Sequence, residues 1–264
     1  MQSSIEKNHS GFISKIQGYS TRDGPGIRST VFCVGCNLRC LWCGNPELIE
    51  NREQTLYYKD STETIGQHIT SKKIVDKLLR DKVFYEQSGG GVTFSGGEPA
   101  LQAEFIAEAS ALLKKENIHI ALDTAGAVEW ETLKTAAESA DLILYDIKTS
   151  GEGLHTRCTG LSNAIILENA ERLASLKKNI CIRLILVPGY NDGDDFTKRL
   201  DFAASLGKAV CQIDILPLHR LGAGKYRALG IPDPMEGVKD CPKETAEKAA
   251  AEAERRGFNV TIGG

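Results

Sequence analysis

The sequence predicts an α/β fold: a mostly parallel sheet, open or curled into a barrel, with helices packed on it. Three observations predict this. Apolar runs rich in β-formers alternate with amphipathic stretches along most of the 264 residues. Several of those runs are continuously apolar, as parallel strands covered on both faces are. The stretches between them are long enough for helical crossovers, which make successive strands parallel and their connections right-handed.

In chain order, strands are expected at 27–34 (IRSTVFCV), 92–94 (VTF), 118–122 (IHIAL), 142–147 (LILYDI), 181–187 (CIRLILV) and 212–216 (QIDIL). Amphipathic helices are expected at 74–85, 101–115, 130–139, 164–177 and 195–206, and a late helix at 244–256 precedes a short strand-like NVTI. The polar stretch 51–71 reads as an excursion from this alternation and contains no cysteine. No repeat, low-complexity tract or linker divides the chain. A single domain over 1–264 is therefore expected, with its core at about 11–229 and a C-terminal helix and strand within 243–262.

Composition narrows the function classes. Hydrophobic residues at 41% and charged residues at 25% are ordinary for a soluble globular protein. A net charge of −3, with no basic run longer than two residues, Lys114–Lys115 and Arg255–Arg256 among them, argues against a nucleic-acid surface. No run approaches 18 apolar residues, and MQSSIEKNHS lacks the apolar segment of a secretory signal, so a cytoplasmic location off the membrane is expected.

Chemistry-bearing residues follow the strands. The first strand leads into a cysteine loop and the second into SGGEP with Glu98. The third ends at Asp123 and Thr124, the fourth at Asp146 and Lys148; Arg183 lies on the fifth, and His219 follows the sixth. In a βα barrel such positions share one mouth. Singly, each has a plain reading as a helix cap or surface ion pair; six strands in succession do not.

The cysteine loop, CNLRCLWC, holds Cys36, Cys40 and Cys43 within eight residues, with Cys33 upstream. A zinc knuckle would need Cys33 and Cys36 to fold with Cys40 and Cys43 around one ion inside eleven residues, and Cys33 sits within a strand. A [4Fe–4S] cube takes one thiolate per iron, so three leave one iron open to a ligand. The glycines of SGGGVTFSGGEP are not a phosphate cradle, because no Lys-Ser/Thr follows them. Gly96 and Gly97 let backbone approach a ligand closely, and Glu98 suits a cation.

With an aromatic before its third cysteine, the C-x3-C-x2-C loop resembles the signature of the radical S-adenosylmethionine (SAM) superfamily. The segments DGPGIRSTVFCVGCNLRCLWCGNPE, SGGGVTFSGGEP, DLILYDIK, IRLILVPGYND and LPLHRLGAGKY together resemble glycyl radical enzyme activating enzymes, from about residue 11 to 229. The resemblance implies a partial (βα)6 barrel, parallel strands with outer helices, in which Cys36, Cys40 and Cys43 hold one [4Fe–4S] cluster. It implies that Trp42 lies beside cluster and adenine and that Gly96, Gly97 and Glu98 hold the SAM ammonium. Asp123 and Thr124 match a site for Na+ or K+, with Asp123 also beside SAM; Asp146, Lys148, Arg183 and His219 match the SAM pocket. Asp23, Gly24 and Pro25 match a loop near the incoming glycyl peptide. By the same resemblance, reductive cleavage of SAM would yield a radical that takes a glycine Cα hydrogen from a partner glycyl radical enzyme. Flavodoxin or ferredoxin would supply the electron, and the protein would be a monomer.

Many such enzymes carry a ferredoxin-like insert with further cysteines. Residues 47–87 contain none, so a single cluster is expected. Cys33, Cys158, Cys181, Cys211 and Cys241 read as structural. Two other functions stay open at this point: a non-catalytic iron–sulfur electron carrier using Cys33 as fourth ligand, and a radical SAM enzyme acting on a small molecule or short peptide.

Overall fold

The computed structural model describes residues 8–263, so most of the N-terminal stretch read for a signal lies outside the described residues. Strand β1 (Ser10–Ser20) runs antiparallel to β2 (Arg28–Cys33). After the cysteine loop, β3 (Gln54–Tyr57) and β4 (Thr62–Ile65) form a hairpin, and β5 (Gln67–Thr70) pairs with β1. Helices α1 (Ser71–Leu78) and α2 (Lys82–Ser88) precede β6 (Gly91–Gly96), α3 (Ala103–Lys115) and β7 (His119–Thr124). Then come α4 (Trp130–Ala137), β8 (Leu142–Asp146), α5 (Glu152–Thr159), α6 (Ala164–Ser175) and β9 (Ile180–Leu186). The chain finishes with α7 (Asp194–Ser205), β10 (Val210–Pro217), α8 (Ala223–Leu229), α9 (Lys243–Arg255) and β11 (Val260–Ile262).

The main sheet has the order β11-β10-β9-β8-β7-β6-β2-β1-β5. Neighbours from β2 to β11 are parallel, and β1 and β5 are antiparallel additions at the other edge. All six expected strands are present, and β11 extends the parallel set to seven. The two ends of the sheet do not pair with each other, so the barrel is partial.

Side chains alternate along the strands. Ile120 and Leu122, Ile143 and Tyr145, Ile182 and Leu184, and Ile213 and Ile215 are buried in the apolar core, with Phe105, Leu133, Leu173, Leu200 and Ala253 of the helices. The intervening positions carry Asp123, Asp146, Arg183 and Asp214 and line cavities. A closed eight-stranded barrel fills that inner face with branched apolar residues; here it is polar and partly open.

Three differences from the sequence reading have physical causes. The helix expected at 74–85 is two helices, because a 3-10 turn at Leu79–Asp81 re-aims the chain and lets the Tyr85 hydroxyl donate to the carbonyl of Leu78 at 3.0 Å. The polar stretch 51–71 is a hairpin and an edge strand, with Leu56, Ile65 and Ile69 as its buried apolar anchors. Helices α5 and α8 were hidden by short, glycine-flanked polar sequence.

Candidate active site

The cysteine loop is built by backbone bonds to three other segments. Gly35, at φ +104°, turns the chain out of β2, and its N–H donates to Leu48 while Cys36 donates to Ile49. Arg39 and Leu41 donate to the carbonyls of Thr159 (2.7 Å) and Cys158 (2.9 Å) at the end of α5. These are C-terminal carbonyls that the helix itself cannot satisfy. Cys43 donates back to Cys40, and the Arg39 guanidinium donates to the carbonyls of Cys36 and Leu38.

The double glycine closes against this loop. Gly97 N–H donates to Cys33 and Glu98 N–H to Gly35. A Cβ on Gly97 would stand 2.2 Å from the Gly35 carbonyl oxygen, and one on Gly96, at φ +107°, 2.6 Å from Cys33 backbone. The sequence predicts a close approach to a ligand at Gly96 and Gly97; the close contact they make is instead with the backbone of β2 and the cysteine loop.

A cavity of about 210 Å³ lies at the C-terminal ends of β6 to β10. It gathers Cys36, Cys40, Trp42, Cys43, Gly96, Gly97, Glu98, Asp123, Thr124, Asp146, Lys148 and Arg183. Sequence reading passed over Ser95, Asn45, Ile185 and Leu216, which line it too. Ser95 had a usable signal, the alternation along VTFSG that turns it inward with Thr93; Asn45 and Leu216 had none.

His219 lies apart. It lines a shallow cleft on the other side of Trp42 and Cys43, is 57% exposed, and faces Asp240 at 3.5 Å. The turn after β10 carries it past the rim. Asp23, Gly24 and Pro25 are also elsewhere: they precede β2 and so sit at the opposite, N-terminal end of the strands. There Gly24 and Pro25 border a second cavity of about 640 Å³, with His119, Leu142, Leu144, Cys181, Gln212 and Asp214. Arg28, fully buried, holds that loop from inside, donating to Pro25, Val92 and His119 carbonyls and to the Thr93 hydroxyl (2.7 Å). The Asp23 carboxylate accepts from Ser20 and Thr30. Burial pulls the Arg28 guanidinium down to about 10, against the nearby Asp23.

Electrostatics in the upper cavity are strongly biased. Glu98 is 1% exposed; Thr124 Oγ1 (2.5 Å), Ala100 N–H (3.1 Å) and Ala125 N–H (3.0 Å) donate to it, and burial pushes its carboxyl up to about 7. Two carboxylate oxygens offer about four acceptor positions, so one remains for a ligand. Asp123 accepts from Ser95 at 2.6 Å and pairs with Arg183 at 2.9 Å; burial raises its carboxyl, opposed by that guanidinium. Lys148 pairs with Asp146 at 2.8 Å. Burial works to discharge Lys148, but Asp146, and Cys40 and Cys36 when they carry thiolate charge, hold its ammonium above the ordinary lysine range. Burial also pushes Cys36 up to about 12 and Cys43 up to about 11, so iron would have to displace protons, as at thiolate sites generally.

The donor set fits the implied cofactors. Three thiols on one loop match a cube with an open iron. Trp42 Nε1, Asp146 Oδ1 and Arg183 Nε are buried without a hydrogen-bond partner, and such orphans call for a polar ligand. Lys148, Arg183, Asp146 and Glu98 together offer both charges to a zwitterion.

Comparison with known proteins agrees with this geometry. Residues 30–203 match the Radical SAM superfamily. The chain is 34% identical over 300 aligned positions to the trans-4-hydroxy-L-proline dehydratase activating enzyme of Clostridioides difficile, covering 96% of this chain and 99% of that one. It is 38% identical over 247 positions to the pyruvate formate-lyase-activating enzyme of Staphylococcus aureus strain USA300, covering 91% and 93%. A crystal structure of a domain of pyruvate-formate lyase-activating enzyme from Bacteroides vulgatus superposes with a TM-score of 0.56 at 29% identity, over 67% of this chain and all of that one. With its cysteine loop, its partial barrel and these relatives, the chain belongs to the radical SAM superfamily, among the activating enzymes of glycyl radical enzymes.

Proposed function

We propose that this chain, as one domain with a single [4Fe–4S] cluster on Cys36, Cys40 and Cys43, installs a glycyl radical on a partner lyase. When bound, cluster and SAM would supply the reactive radical by one-electron cleavage of SAM. The protein's own part is positioning. Lys148 and Arg183 would hold the SAM carboxylate, Glu98 and Asp146 its ammonium, and Trp42 would cover the adenine side. Asp123 and Thr124 are the proposed corner for Na+ or K+, which would share Asp123 with Arg183. His219 could reach SAM only from the side cleft.

One observation carries the reading of a protein substrate: the upper cavity has a larger counterpart on the same strands, bordered by Gly24 and Pro25. Its inward rows continue those of the upper cavity, Cys181 below Arg183 and Leu144 below Asp146. A partner's glycine loop entering there would approach the SAM site from beneath, while the cluster loop closes the top. No acid or base need act on the glycine, and no Ser–His–Asp arrangement is required. We infer a cytoplasmic monomer reduced by flavodoxin or ferredoxin; within the described residues no helix is long and apolar enough to cross a membrane.

The test is anaerobic reconstitution with iron and sulfide, reduction, and addition of SAM. Methionine and 5′-deoxyadenosine in equal amounts support SAM cleavage, and a protein-borne glycyl EPR doublet on an added lyase supports the partner assignment. Pyruvate formate-lyase and trans-4-hydroxy-L-proline dehydratase, the partners named by the two relatives, are the first lyases to add. A cluster that cycles its electron yet leaves SAM intact would favour an electron carrier.

A further inference from the structure

The segment LPLHRLGAGKY, residues 216–226, is only partly used by the site above. Leu216 lines the upper cavity, but the chain then leaves it, and α8 returns across the downstream flank of the cysteine loop. Three contacts meet there. The Tyr226 hydroxyl donates to the Cys43 carbonyl at 3.2 Å. Lys225 Nζ donates to Asn45 Oδ1 and Glu47 Oε1, both at 2.6 Å. Gly222 packs so closely that a Cβ there would meet Gly44 Cα at 3.1 Å and the Cys43 carbonyl oxygen at 3.2 Å.

The pairing is buried on its carboxylate side, while the Lys225 side chain is half-buried. Glu47 is 6% exposed, and its second carboxylate oxygen has no partner. Tyr226 is 6% exposed. A small apolar cluster beside the loop joins Ala228 of α8 to Val34, Leu48, Leu56 and Ile65, anchoring the helix to the hairpin and to the turn after the cysteines. On its upstream side the loop is held by its own backbone, through α5 and the 48–49 turn. Past Cys43, side chains from the far end of the chain take over.

We propose that Lys225 and Tyr226 are positioning residues for Cys43: they fix the third thiol of the loop and set how firmly it keeps its iron. The proposal rests on the cluster reading for its consequence, but not for its geometry. Neither residue lines the upper cavity, so Tyr226 acts through the Cys43 carbonyl and Lys225 through the side chains of Asn45 and Glu47. Partners of metal ligands placed in this way change metal affinity by about 10–100-fold when removed.

The experiment compares wild type with Tyr226→Phe, Lys225→Met and the double variant Glu47→Gln/Lys225→Met. The double variant removes the carboxylate that Lys225→Met leaves buried and unpaired, so a folded chain is available for the test. On the iron-free chain, alkylation by iodoacetamide is followed at Cys36 and Cys43 by peptide mass spectrometry. On the reconstituted chain, release of iron to a chelator is timed. Expected are faster labelling of Cys43 relative to Cys36 and iron release about tenfold faster, with unchanged circular dichroism, and slow labelling restored by Lys225→Arg. Wild-type labelling ratios in all three variants would overturn the proposal. Failure of the wild type to take up iron and sulfide would overturn the cluster reading alone, because the labelling ratio is read without iron.

Discussion

The two ends of the sheet's inner face make an instructive pair. They are built from the same rows: Asp146 above Leu144 and Leu142, Arg183 above Cys181, Leu216 above Asp214 and Gln212. Successive inward positions are about 7 Å apart along a strand, so a two-residue step separates a charged pocket from a wide, mixed one. The upper end is about 210 Å³ and crowded with paired charges and orphaned polar atoms. The lower end is about 640 Å³ and bordered by a glycine–proline loop pinned by Arg28. Depth along the strand, more than residue type, assigns the role. Cysteines lie at both ends, and the three proposed as cluster ligands all sit on the upper loop.

The comparison is broken most severely at the top. Cys36→Ala, Cys40→Ala or Cys43→Ala should each abolish SAM cleavage, beyond the roughly 10–100-fold cost of losing an outer partner, while circular dichroism reports a folded chain. Normal cleavage by any one of them would refute the ligand assignment. Next comes Arg183→Leu, which strands the buried Asp123. Breaking such pairs costs about 3–5 kcal/mol, and the low end is expected because Asp123 can escape by taking a proton. Urea unfolding measures the loss, and an unchanged midpoint would mean the pair is better solvated than its burial implies.

The lower end should respond differently. Leu142→Trp fills space beneath the site, so glycyl radical formation on the partner should fall by about 100-fold, the cost of a small misplacement of reacting groups. SAM cleavage without partner should be unchanged; equal loss of both would place the peptide entrance elsewhere. The smallest effect is expected from Gly24→Ala. Its φ of +115° is foreign to alanine, and the new Cβ would sit 3.3 Å from Arg28 Nε. A loss of about 1–3 kcal/mol in stability is expected from the strain, with a raised KM for the partner and little change in partner-free turnover.

Much of the site was legible because its signals are local. Three cysteines in eight residues, a Gly-Gly-Glu after a strand, and polar residues at successive strand ends each sit within a few positions of one another. What the sequence left open depended on where a loop turns. His219 follows its strand as Asp146 and Arg183 mark theirs, but the turn toward α8 swings it into the side cleft. Asp23, Gly24 and Pro25 lie ahead of β2, and no local pattern says which end of the barrel they border. The hairpin at 54–65 was missed because its exposed faces are polar, leaving few apolar residues to give a period.

By itself, then, the sequence determined the strand–helix alternation, the thiol loop and the identity of the strand-end groups, because hydrophobic period and ligand spacing are properties of neighbouring residues. The tertiary structure alone decided that Gly97 closes on Gly35, that α5 and α8 grip the cysteine loop from two sides, and that a second cavity opens beneath the first. Those contacts join residues tens to nearly two hundred positions apart. They exist only once the sheet has curled and brought its rows to face one interior.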